Sequence, residues 1–126
     1  MSSKEDSVGL EELRNALQST SEIELTVTGR TSGRESSRPV WFAQESEKLF
    51  LLPVGGSDSN WYKNLLKTPA IGLAADGAEF RTNAKPIEDA AGVDDVVERF
   101  RARYGSDRVT AGYQKLDAAV EVPLTQ

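Results

Sequence analysis

The segment Glu22-Ile23-Glu24-Leu25-Thr26-Val27-Thr28 alternates polar and apolar residues without a slip. Only an extended chain puts every second side chain on one face, so this is a half-buried β-strand. Gly29 and Gly33 bracket the turn that follows, and a second strand is expected from about Ser36 to Gln44. Glu45-Ser46-Glu47 is a polar break. Leu49-Phe50-Leu51-Leu52 is a continuous apolar run of strand length, expected to be covered on both faces. Two hairpins in succession commit this part of the chain to antiparallel pairing, in a meander or a barrel.

The remaining segments fit around that frame. Leu10, Leu13 and Leu17 recur at helical spacing and predict a short helix over about 8–18, while the polar residues 1–7 read as a frayed tail. Pro53 to Asn60 is a loop rich in turn residues. It leads into a helix over Trp61–Lys67 that Pro69 ends and that Asp58 or Ser59 can cap. Ala70–Ala75 and Ala78–Ile87 read as strands joined by Asp76-Gly77, a hairpin turn. Val93, Val96, Val97, Phe100 and Tyr104 form a helical stripe. A breaker at 104–107, a short segment around Val109–Leu116 and a last strand over Ala118–Leu124 complete the chain. The expected class is α+β, mainly β: about six mostly antiparallel strands rolled into a small barrel, with short helices at the joints.

At 126 residues the chain fits a single domain, residues 1–126, with enough length to bury a core. It contains neither histidine nor cysteine. Disulfides, zinc-thiolate sites, cysteine nucleophiles and every histidine-based catalytic pair are therefore excluded. Chemistry is left to carboxylates, lysine, arginine, tyrosine, hydroxyls, backbone or a cofactor. Fifteen Lys and Arg stand against twenty Asp and Glu, so nucleic acid is not an expected partner. No apolar run is long enough to span a membrane. The polar start, MSSKEDS, does not read as a secretory signal, and a soluble, cytoplasmic protein is expected.

Three constellations can carry function. Arg30, Arg34 and Arg38 recur every four residues in the first turn and the strand after it, among Thr31, Ser32, Ser36 and Ser37. Guanidinium forks, hydroxyls and glycine-flanked amides suit an anion, while a solvated hairpin end has the same composition. Gly55-Gly56 precedes a helix N-terminus, where free amides suit phosphate, although Asp58 competes with an anion there. Trp41 and Trp61 offer flat surfaces to an aromatic cofactor, and either can equally be core. Tyr62, Tyr104 and Tyr113 are possible proton donors or core-edge residues. Asp89, Asp94, Asp95 and Glu98 lack metal-ligand spacing and read as a solvated helix face.

In order, T-G-R-T-S-G-R-E-S-S-R-P-V-W-F, L-F-L-L-P-V, G-G-S-D-S-N and W-Y-K-N-L-L-K-T-P resemble the deazaflavin-dependent nitroreductase family. The resemblance covers about residues 22–87. It implies a split β-barrel related to pyridoxamine-phosphate-oxidase-like flavoproteins, and binding of coenzyme F-420, a deazaflavin with a phospholactyl-glutamate tail. It further implies hydride transfer to a quinone, a nitroaromatic or another electron-poor small molecule. Carried over by position, Arg30, Ser32 and Arg34 match the tail-binding turn, with Thr31 between them. Gly55 and Gly56 match the loop beside the phosphate, and Trp61 the tryptophan packed near it. Leu51, Leu52 and Pro53 match the strand end that lines the ring. Trp41 takes the place of an aromatic residue facing the substrate pocket, and Tyr104 is a second candidate there. The chain departs from many members at Thr31, Ser36 and Pro53-Val54, where those members carry cationic or hydroxyl residues. Each charge-assisted phosphate contact is worth about 1.5–3 kcal/mol. The same fold with FMN, or a non-enzymatic small-molecule-binding protein, is the alternative. The resemblance is compatible with a monomer or a homodimer.

Overall fold

The computed structural model describes the backbone of residues 2–125 and the side chains of residues 10–125. Helix α1 (Ser2–Leu17) leads into β1 (Glu22–Thr28), β2 (Glu35–Trp41), β3 (Ala43–Glu45) and β4 (Lys48–Leu51). A single 3-10 turn at Gly56–Asp58 precedes α2 (Asn60–Lys67). There follow β5 (Ala70–Ala75), β6 (Ala78–Asn83), β7 (Lys85–Ile87), α3 (Ala90–Tyr104), α4 (Ser106–Gly112) and β8 (Ala119–Pro123).

The strands form two four-stranded antiparallel sheets, ordered β2-β1-β5-β6 and β3-β4-β8-β7. β2 and β6 are the edges of the first sheet. Each runs through one residue, Phe42 or Ala84, into an edge of the second. Two bent strands thus join the sheets in a split β-barrel, with eight strands among the described residues where about six were expected, because each bent strand counts as two. Both break residues turn inward and are buried. Their backbone groups find partners outside the ladder. The Phe42 N–H donates to the Tyr104 hydroxyl at 3.1 Å, and the Ala84 N–H to the Pro69 carbonyl at 2.8 Å.

The alternation in β1 is borne out: Ile23, Leu25 and Val27 are buried while Glu22 and Glu24 are exposed. β4 is covered on both faces, as expected. Leu49 and Leu51 join the main core with Leu13, Leu17, Tyr62 and Leu65. Phe50 and Leu52 lie in a second core beneath α3, with Val93, Val97 and Phe100. Asp76 and Gly77 both have positive φ, 51° and 83°, as the β5–β6 hairpin turn requires. Two expectations are corrected. The residues read as a frayed tail are helical from Ser2, with Met1 outside the described residues. Neither Asp58 nor Ser59 caps α2 through its side chain: Ser59 Oγ accepts from the Gly55 N–H at 2.8 Å, and Asp58 pairs with Lys115 at 3.0 Å.

Candidate functional site

The β1–β2 turn is docked on α2. Its own shape comes from the Gly29 N–H on the Arg34 carbonyl at 2.8 Å and the Gly33 N–H on the Gly29 carbonyl at 3.0 Å, with Gly33 at φ 71°. Arg30 donates from its backbone N–H and from its guanidinium to Asn64 Oδ1, at 3.1 and 2.7 Å. Lys67 Nζ donates to the Arg30 carbonyl at 2.7 Å. Thr31, Ser32 and Arg34 stay exposed, and Ser32 Oγ accepts from the Arg34 N–H at 3.2 Å. Arg38 points elsewhere. It pairs with Leu25 across the ladder, which puts it on the inner face of an edge strand.

There it borders a cavity of about 470 Å³. One wall is β2, from Arg38 through Pro39 and Val40 to Trp41, with Glu22 at its rim. A second is Leu52, Val54 and Gly55. The third is the start of α2, Ser59, Asn60 and Trp61, and Gly112 and Tyr113 close the side. The aromatic wall is held from behind. Trp41 stacks on Tyr104 with ring centroids 4.3 Å apart and meets the edge of Tyr113 at 6.1 Å. Phe100 holds Tyr113 in a perpendicular contact at 5.8 Å. Burial, and then the nearby Tyr104, push the Tyr113 phenol well above its ordinary range, so it remains a neutral hydroxyl donor. Among the described residues, no protein group is hydrogen-bonded to that hydroxyl.

Of the residues singled out in the sequence, Arg38, Trp41, Leu52, Gly55, Trp61 and Tyr113 line this cavity together. Arg30 stands at its end, on Asn60 and Asn64. Leu51 and Pro53 do not reach it: Leu51 is fully buried in the main core, and the Pro53 carbonyl accepts from the Gly56 N–H at 3.0 Å. Gly56, at φ 59°, faces residues 115–117, and a Cβ there would lie 2.2 Å from Asp117 Oδ1. The amides of the glycine loop itself are spent within the protein. The Gly55 N–H goes to Ser59, Gly56 to Pro53, Ser57 to Asp117, Asp58 to Gly55 and Ser59 to Gly56. Tyr104 backs the cavity without lining it. Its hydroxyl accepts from Phe42 N–H and has the Phe42 and Ser21 carbonyls, both at 2.8 Å, as acceptors for its one proton. Among the described residues no Asp and Glu cluster could hold a metal ion.

Val54 and Asn60 were missed as site residues; Arg38 and Tyr113 were read as an anion-binding arginine and a possible proton donor, but not as neighbours in one cavity. Alternation from Leu25 across the turn would have placed Arg38 there. Nothing local marks Tyr113, which reaches the site only because α3 and α4 fold back over the second sheet.

A family model described as F420H(2)-dependent quinone reductase matches residues 4–125. Comparison with curated proteins returns no match. Among solved structures, an F420-H2 dependent reductase, FDR-A, is 19% identical with a TM-score of 0.62, covering 81% of this chain and 93% of its own. HutZ, a heme storage protein from Vibrio cholerae, is 18% identical at a TM-score of 0.68, covering 92% and 89%. A domain-swapped dimer is 18% identical at 0.62, covering 94% and 98%. At these identities the structures share the fold, including that of pyridoxamine-phosphate-oxidase-like proteins.

Proposed function

The chain belongs to the F420H(2)-dependent quinone reductase family, and from that premise we propose that it is a reductase that binds coenzyme F-420 in the cavity between β2, the Leu52–Gly55 segment and α2. The observation that carries this reading is the cavity itself: aromatic and apolar on its walls, cationic at one end. Its volume of about 470 Å³ falls inside the range of roughly 300–1,000 Å³ usual for small-molecule sites. Trp41, Leu52 and Trp61 suit a planar ring. At the other end Arg38 lines the cavity and Arg30 stands on Asn60, and neither makes an ion pair among the described residues. Two unpaired arginines from one turn and one strand, in a chain of formal charge −5, suit an anionic tail, with Arg34 in the same turn as Arg30. Since the glycine-loop amides are occupied internally, the arginines carry that task here.

When bound and reduced, a deazaflavin supplies a hydride. The chain's own residues do the remaining work. Trp41 and Trp61 orient the ring and exclude water from one side. Arg38 fixes the phosphate-bearing end. The neutral Tyr113 hydroxyl donates to an acceptor oxygen on which negative charge develops. A quinone, as the family description suggests, and a nitroaromatic both present such an oxygen. The site residues proposed are therefore Arg30, Arg34, Arg38, Trp41, Leu52, Gly55, Trp61 and Tyr113.

Titration of the protein with F-420 and with FMN, read by ring absorbance and fluorescence, tests the assignment. F-420 binds, and Arg38→Ala weakens it roughly ten- to a hundredfold, the loss of one charge-assisted contact. Preference for FMN, or binding of neither, overturns the reading. Oxidation of reduced F-420 by a neutral benzoquinone, compared with a nitrobenzene, then decides the acceptor.

A further inference from the structure

We propose that Asp117 is a positioning residue that holds the Val54–Ser59 wall of the cavity in place from the opposite side of the loop. That the wall matters for F-420 rests on the function proposed above; that Asp117 holds it does not.

The carboxylate grips Ser57 with both oxygens. Oδ1 accepts from the Ser57 N–H at 2.8 Å, and Oδ2 accepts from Ser57 Oγ at 2.6 Å. Lys115 ties the same two stretches together, pairing with Asp58 at 3.0 Å and with Asp117 at 3.6 Å. One residue earlier, the Gln114 N–H donates to the Val54 carbonyl at 2.9 Å. Three points of the loop, Val54, Ser57 and Asp58, are thus bound to residues 114–117. Gly56 packs beneath this clasp and is buried, with no room for a side chain against the Lys115 carbonyl or Asp117. The clasp is anchored at its far end, because Ala118 and Ala119 are buried in the two cores.

The geometry has a direct consequence for the cavity. Val54 and Gly55 line it just before the clasped residues, and Ser59, Asn60 and Trp61 just after. Ser57, Asp58 and Asp117 do not line it. The segment that carries the clasp also carries Tyr113, which closes the side of the cavity. A single stretch, residues 112–117, therefore sets the width between Tyr113 and the loop. The charged groups around Asp117 are Lys115 and Asp58, with the Tyr62 phenol behind. The bonds from Ser57 hold the Asp117 carboxyl below the usual carboxylate range, in keeping with a group ionised when the clasp is closed.

Amide hydrogen exchange of the ligand-free protein tests the clasp directly. In Asp117→Ala the Ser57 and Gly55 amides exchange about tenfold faster, as a local opening that loses a charge-assisted bond should allow. The β4 and β8 amides keep their protection. Asp117→Asn, whose Oδ1 still accepts from the Ser57 N–H, restores most of it. Unchanged exchange at Ser57, or equal acceleration throughout the protein, overturns the proposal. In a second arm, F-420 affinity falls several-fold in Asp117→Ala and is rescued in Asp117→Asn, with kcat at saturating F-420 unchanged. A loosened loop with unaltered F-420 affinity overturns the positioning role. If the unaltered protein binds no F-420, the function proposed above fails, and the exchange measurement alone decides whether Asp117 holds the wall.

Discussion

Two tyrosines that look alike in the sequence divide their labour by where their hydroxyls end. The Tyr104 hydroxyl is enclosed by Phe42 N–H and by the Phe42 and Ser21 carbonyls, so it staples the end of α3 to the break between the two sheets. Tyr113 is held by ring contacts with Phe100 and Trp41 and lines the cavity, and among the described residues its hydroxyl has no hydrogen-bonded protein partner. Tyr104→Phe keeps the stack on Trp41 but orphans a buried amide, and should destabilise the fold by about 1–3 kcal/mol in urea unfolding. Tyr113→Phe should leave stability and F-420 affinity nearly intact while lowering turnover with a quinone by roughly 10²-fold, read in steady-state kinetics. The sequence offered both as donors or core-edge residues. Choosing between them required knowing which carbonyls the fold brings within 3 Å of each.

At the scale of elements, β4 shows how a short strand can serve two cores. Leu49 and Leu51 face the space between the sheets, and Phe50 faces α3. Alanine at Leu51 should cost about 2–5 kcal/mol and at Phe50 about 3–5 kcal/mol, with no sparing face, in equilibrium denaturation. Ser36→Ala on the exposed edge strand β2 should change stability by no more than about 0.5 kcal/mol. The uninterrupted apolar run at 49–52 announced this double burial, just as alternation announced β1. The breaks at Phe42 and Ala84 were not legible. Phe42 belongs to a run, Val40-Trp41-Phe42-Ala43, that reads as one strand, and only the Tyr104 hydroxyl and the shift from one sheet to the other show where it ends. The glycine loop misled for a related reason. Its composition promised free amides, but Asp117, sixty positions from Ser57, already occupies one of them.

Across the whole molecule, charge sets how stability responds to acid. With no histidine, no side chain has an ordinary pKa near neutrality, so stability should be flat between about pH 5 and 7. Asp117, through Ser57, and Glu35, through Arg81, are held below their ordinary carboxylate values. A depressed folded pKa means that the unfolded chain binds protons first as pH falls. The stabilisation is therefore complete above the ordinary value and is lost as pH falls through the folded one. The Tm should drop below about pH 4. In Asp117→Asn with Glu35→Gln, the part of that drop due to these two groups should vanish, in thermal scans from about pH 2.5 to about pH 7, across the range where carboxylates titrate.

By itself the sequence determined the periodicities. These were alternation in β1, double burial in β4, the helical stripe of α3, the β5–β6 hairpin, and an ordered set of motifs that resembles one family. These are local properties, carried by neighbours within a few residues, and backbone geometry converts them directly into faces. Tertiary structure alone decided which residues share the cavity. Arg38 and Tyr113 are 75 positions apart in the chain, 113 minus 38, yet border one space. Gly56, four residues from Asn60, faces away from it. Where a side chain ends depends on which hydrogen-bond partners the folded sheets and helices bring to it, and those partners come from the far end of the chain.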